Sequence, residues 1–211
     1  MAPDELDEAL GTIEIYYDEH SEIMFNIVAL GTRGRVRVRR GELELAERDI
    51  ERGESLIREA GRVPPLHASY VRSARFLLEV HRAENDAAGG EPPSRAVLRR
   101  LRASRREALR VSAWVPWRRS EALRLAGREA WLRGRPGAAL KWWQRALDCA
   151  SSLGALPELA RTYADAGHSM SRSARPLELN GRDARRCVEE ASRIFAEIGM
   201  RPELDTRAEV A

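Results

Sequence analysis

The sequence predicts an all-α array of antiparallel helix pairs, and three observations predict it. First, there is no sustained strand pattern: "RVRVRR" at 35–40 alternates like a strand, but it lies inside a helical pattern. Second, small residues recur seven positions apart: Ala46 and Gly53, Ala96 and Ala103, Ala139 and Ala146, Ala184 and Ala191, at intervals of 50, 43 and 45 residues. Third, each of these pairs follows a bulky residue placed four before a small one: Leu30 and Gly34, Tyr70 and Ala74, Leu123 and Gly127, Tyr163 and Gly167. Four residues make about one helical turn and seven about two, so each set marks one helix face. Small residues let two helices approach, and the bulky neighbour fills the space beside the contact.

The elements follow in order. Residues 4–20 carry Leu6, Leu10, Ile13 and Tyr17 at helical spacing, an orphan or capping helix ahead of the first pair. The first pair is expected at 22–40 and 42–60, with Gly41 as the stop between them and "RVRVRR" helical. The second spans 65–82 and 94–111; Pro65 and Pro93 mark the starts, and "NDAAGGEPPS" makes the loop. The third spans 117–133 and 136–153, separated by Gly134 and restarted by Pro136. The fourth spans 157–172 and 181–198, with Pro157 at its start and "SRSARPLELNG" between its helices. The repeat units are thus 22–61, 64–111, 115–153 and 156–199, followed by a C-terminal cap at 201–211, all within one domain over 1–211.

Composition narrows the function classes. Of 211 residues, 43% are hydrophobic and 33% charged, as expected of helices with long solvated faces. The longest apolar candidate, "IMFNIVALG", is interrupted by Asn26 and falls short of the roughly 18 residues that span a bilayer. The acidic N-terminus lacks the basic flank of a signal peptide, so a cytoplasmic protein without a membrane partner is expected. Cys149 and Cys187 make neither a disulfide framework nor a metal cluster, and both read as small buried hydrophobes of second helices. His20, His67, His81 and His168 are scattered without metal-ligand spacing. "GTRGRVRVRRG" lacks the Lys-Ser/Thr of a phosphate loop. No catalytic constellation, metal or cofactor is therefore expected. Charge is uneven: residues 1–32 hold eight acids and no Lys or Arg, whereas residues 95–119 hold nine arginines and one acid, Glu107.

The most regular unit, "SEALRLAGREAWLRGRPGAALKWWQRALDCA", resembles a tetratricopeptide repeat (TPR). Leu123 and Gly127 occupy its first helix, and Ala139, Trp143 and Ala146 its second. The aromatic slot of Trp143 holds Ile50, Arg100 and Val188 in the other units. Periods near 45 are similar to the longer repeats of MalT-type bacterial regulators. The resemblance implies an α-solenoid acting as a non-catalytic protein–protein interaction module. Its setting would be a regulatory or scaffold protein, or the C-terminal repeat region of a larger bacterial signalling or transcription regulator with an upstream catalytic or DNA-binding module. Trp143 lies mid-stripe and reads as core. Trp142, about 100° away, reads as the seal between the third and fourth units.

The resemblance also implies that the first helices line a concave groove. The residues just after the small positions, Arg35, Arg75, Arg128 and His168, would then point partly into it. Val38, Leu78, Trp131 and Ser171 lie one turn further on. Arginines beside Trp131 would suit a protein or acidic peptide, because guanidinium pairs bidentately with carboxylate and stacks on flat groups. "RAVLRRLRASRREALR", followed by Trp114 and Trp117, is the second candidate surface. Its apolar face is Leu98, Leu101, Ala108 and Val111. The rest reads as a solvated outer face, fitting an acidic protein ahead of nucleic acid. The alternative function is small-ligand sensing, which would need a closed apolar pocket of about 300 Å³ or more in the groove.

Overall fold

The computed structural model describes residues 8, 11–12, 22–88 and 93–200. Except for helical residues 8, 11 and 12, the helix expected at 4–20 and the cap expected at 201–211 lie outside these. Eight helices follow: α1 Ile23–Arg39, α2 Leu43–Ala60, α3 Pro65–Ala88, α4 Arg95–Ser112, α5 Pro116–Leu132, α6 Pro136–Ser152, α7 Leu156–Ser171 and α8 Ala184–Glu197. Among the described residues there is no strand, only an isolated bridge between Leu179 and Arg182 ahead of α8.

"RVRVRR" is helical to Arg39, and its alternation has a packing cause. Val36 and Val38 point about 200° apart on a helix, yet both are buried. The reason is that α1 is covered by α2 on one side and by α3 on another.

Helix ends follow local chemistry. Gly134 adopts φ 65°, and the Arg135 amide donates back to the Ala130 carbonyl at 3.0 Å, closing α5 with a Schellman turn. Pro116, Pro136 and Pro157 sit in first turns, where a missing N–H costs nothing. Two boundaries differ from expectation by more than one residue. Helix α3 runs on to Ala88 because its last turns are held: Arg82 donates to Glu47, Ala83 is fully buried and Glu84 accepts from Arg128. Helix α8 begins three residues late because Asn180 and Gly181 take left-handed conformations and Asp183 caps the helix, accepting from the Arg186 amide at 2.8 Å. Asp183→Ala should therefore cost about 1 kcal/mol in a urea melt.

The helices pack as four antiparallel hairpins, α1/α2, α3/α4, α5/α6 and α7/α8. Helices α1, α3, α5 and α7 touch in succession. Each of α2, α4 and α6 reaches the first helix of the next hairpin, while the even helices make no backbone approach to one another. One row is therefore continuous and the other spaced apart.

Three hairpins share one contact. A Cβ at Gly34 would meet Ile50 at 2.8 Å, one at Gly167 would meet Val188 at 2.7 Å, and one at Gly127 would enter the Trp143 indole, 2.7 Å from Cε2. The second hairpin departs from this: Arg100 is 54% exposed and pairs with Glu79. Between hairpins, Gly31 lies against the backbone of Tyr70 and Val71, and Gly53 against the Val71 side chain. Trp143 is fully buried. Trp142 is half-buried and packs against both hydrophobic clusters, one built mainly from α1–α5 and the other from α5–α8. The tryptophan doublet thus fills a hairpin with one ring and joins two cores with the other.

Candidate functional site

The continuous row positions a set of buried charges. Helix α5 carries Glu121, Arg124 and Arg128 on one face, since spacings of three and four return to the same side. Each reaches a different hairpin. Arg35 of α1 donates to Glu121 at 2.5 Å, across α3. Arg128 makes a bidentate pair with Glu84 of α3, at 2.9 and 2.5 Å. Arg124 donates to Asp165 and Glu158 of α7 at 2.6 and 3.3 Å. Arg118 stacks its guanidinium 4.1 Å from the Tyr70 ring centroid and lies 3.7 Å from Glu121.

The electrostatics follow from burial. Desolvation alone would raise the Glu121 carboxyl, but Arg35, Arg118 and Arg124 together hold it well below the usual carboxylate range. Burial disfavours the charge on Arg35 and Arg124, yet Glu121 holds Arg35 above the ordinary arginine value, and Asp165 and Glu158 do the same for Arg124. Arg118 is lowered, by burial and then by the like charge of Arg35. One oxygen of Glu121 and the Nε of Arg118 have no protein partner.

The residues expected in a groove are not brought together as a free surface. Arg35 and Arg128 are consumed by carboxylates of this chain. Arg75 turns toward α2, where Glu54 accepts from it at 2.9 and 3.3 Å. Trp131 is half-buried, its ring centroid 5.9 Å from that of Trp143. Val38 and Leu78 are core, while His168 and Ser171 are exposed. Sequence reasoning located the arginines but missed Glu84, Glu121 and Asp165. The available signal was the run of opposite charges at Glu121, Arg124 and Arg128 on one helix face, which is unusual for a helix that also buries Leu123, Leu125 and Ala126.

The second candidate surface is accessible. Helix α4 buries Val97, Leu101, Ser104, Ala108 and Val111 and turns its arginines outward. Arg100, Arg105 and Arg110 pair with Glu79, Glu129 and Glu107. Trp114 and Trp117, at the turn into α5, are 78% and 57% exposed. Clefts also open on the described surface. One of about 330 Å³ is lined mostly by polar and charged groups: Leu43, Glu44, Arg82, Asn85, Asp86 and Arg100. Another, about 190 Å³, lies where the ends of α2 and α4 meet the start of α3 and is lined by Ile57, Val63, Ala68 and Val111 with Arg72 and Arg110.

No thiol is activated. Burial raises both, Cys187 to about 11, so neither is a nucleophile near neutral pH. Among the described residues no group of His, Cys, Asp and Glu could hold a metal, and no helix is long and apolar enough to cross a membrane. The chain matches no family model, no curated protein and no solved structure.

Proposed function

We propose that this chain is a non-catalytic helical-repeat module of the TPR type that works by binding a protein partner, in a regulatory or scaffold role. The observation that carries the reading is the recurrent contact: Gly34 with Ile50, Gly127 with Trp143 and Gly167 with Val188, each joining the two helices of one hairpin at the same register. Repetition of one hairpin contact, together with close helix packing between successive hairpins, is how a solenoid builds its core. Solenoids present extended surfaces, and two tryptophans left in water are the kind of anchor a protein interface uses. The bacterial regulatory setting, with a catalytic or DNA-binding module upstream, rests on the resemblance in repeat length.

Small-ligand sensing has less support. The larger cleft is polar, and its Arg82 is bound to Glu47 at 2.7 Å. Native capture with the full chain, followed by calorimetric titration of the purified partner, tests the choice. A saturable, stoichiometric protein complex is expected. A metabolite that raises the melting temperature in proportion to its occupancy, with no protein partner, would replace this reading with the ligand-sensing one.

A further inference from the structure

Arg95, Arg99, Arg102 and Arg106 stand apart from the other arginines of α4. All four are exposed, and none makes an ion pair or hydrogen bond with an acid among the described residues, the nearest approach being the through-space attraction of Arg106 for Glu107. Their spacing of four, three and four places them within about 60° of one another on the helix, in a row about 17 Å long. At the C-terminal end of the row the chain exposes Trp114 and Trp117, the two most exposed large hydrophobic residues described. A cleft lined by Ile57, Val63, Ala68 and Val111 together with Arg72 and Arg110 opens near the same end of α4. A row of solvated guanidiniums ending in bare indole surface has no structural use within the hairpin, since Arg100, Arg105 and Arg110 already make the ion pairs of this helix.

We infer that the outer face of α4, with Trp114 and Trp117, docks an acidic polypeptide segment that carries bulky apolar residues beside its carboxylates. This rests on the protein-binding reading and assigns it a surface and a partner chemistry. Guanidinium binds carboxylate and phosphate alike, so the extent of the basic surface decides between them. It is one helix wide. In the preceding hairpin α2 carries six acids (Glu44, Glu47, Asp49, Glu51, Glu54, Glu59) against three arginines. In the following hairpin α6 offers only Lys141 and Arg145, with Asp148. A nucleic-acid strand needs a longer positive track, whereas a short helix with acids at matching three- and four-residue spacings pairs along the whole row. Its apolar side chains then meet the tryptophans, where desolvation strengthens the contact.

The test uses the full chain and a fluorescein-labelled helical peptide about 16 residues long, with glutamates at the spacing of the arginine row and leucines beside them. Its glutamine counterpart and an oligothymidylate of similar length serve as comparisons. The glutamate peptide should bind with salt-sensitive affinity. Arg99→Glu/Arg102→Glu should weaken it roughly tenfold or more, and Trp114→Ala several-fold, with melting temperatures unchanged because all three residues lie in water. Failure of the peptide to bind, equal binding of the glutamine peptide, tighter binding of oligothymidylate, or unchanged affinity of the double variant would each overturn the assignment. So would a dimer at low salt, seen by sedimentation, that the double variant abolishes, because the occupant would then be this chain itself. A captured partner protein that binds wild type and double variant equally would leave the interaction module standing and remove only this surface.

Discussion

Glu121→Ala should destabilise the chain by about 3–5 kcal/mol, the cost of leaving buried cations unpaired. Glu121 is 3% exposed, and its loss would strand Arg35, which donates to it, and Arg118, 3.7 Å away. Replacing both ends with apolar groups, Arg35→Met with Glu121→Leu, should recover most of the loss, because uncompensated charge is the larger penalty. Urea melts of the two single variants and the double give the coupling directly, expected at the upper end of about 0.5–3 kcal/mol. Additive losses would mean that the pair does not tie α1 to α5.

The same group sets an acid limit. Its folded-state pKa lies below the unfolded value of about 4.3, so the unfolded chain binds more protons in that window and stability rises with pH. The contribution is present above the unfolded pKa and is lost as pH falls below about 4. Arg35→Met/Glu121→Leu should therefore show a shallower loss of stability on acidification than wild type.

Gly127→Leu is expected to cost about 3 kcal/mol, at the top of the usual range for overpacking. Even the first carbon of a side chain at this position would overlap the Trp143 ring. Trp143 is fully buried, beside Trp131, so the indole has no space to yield without parting α5 from α6. Gly137→Ala is the matched contrast. A Cβ there meets nothing within 4 Å and its backbone is ordinary, so the change should raise stability by about 0.4–1 kcal/mol by restricting the unfolded chain. Thermal and urea melts of both variants check the pair. A loss below about 0.5 kcal/mol for Gly127→Leu would contradict the helix contact.

The sequence by itself determined the helices and their pairing into hairpins. Periodicity, prolines in first turns and glycines at helix stops are local signals, because a helix end is decided by the few residues whose backbone groups it leaves open. The small positions Gly34 and Gly127 were legible too, but that Ile50 and Trp143 are what meets them is seen only in the folded hairpins. The later end of α3 was not legible: the groups that hold its last turns, Glu47 and Arg128, lie in other helices.

Only the tertiary structure decided what the arginines do. Arg35 meets a carboxylate 86 residues away and Arg128 one 44 residues away, while Arg99 and Arg102 meet none among the described residues. All four look alike in sequence. A long, flexible side chain takes whichever carboxylate the packing of separate hairpins brings within reach, and that geometry has no local period to read. Burial then separates the arginines that tie one hairpin to another from those left in water.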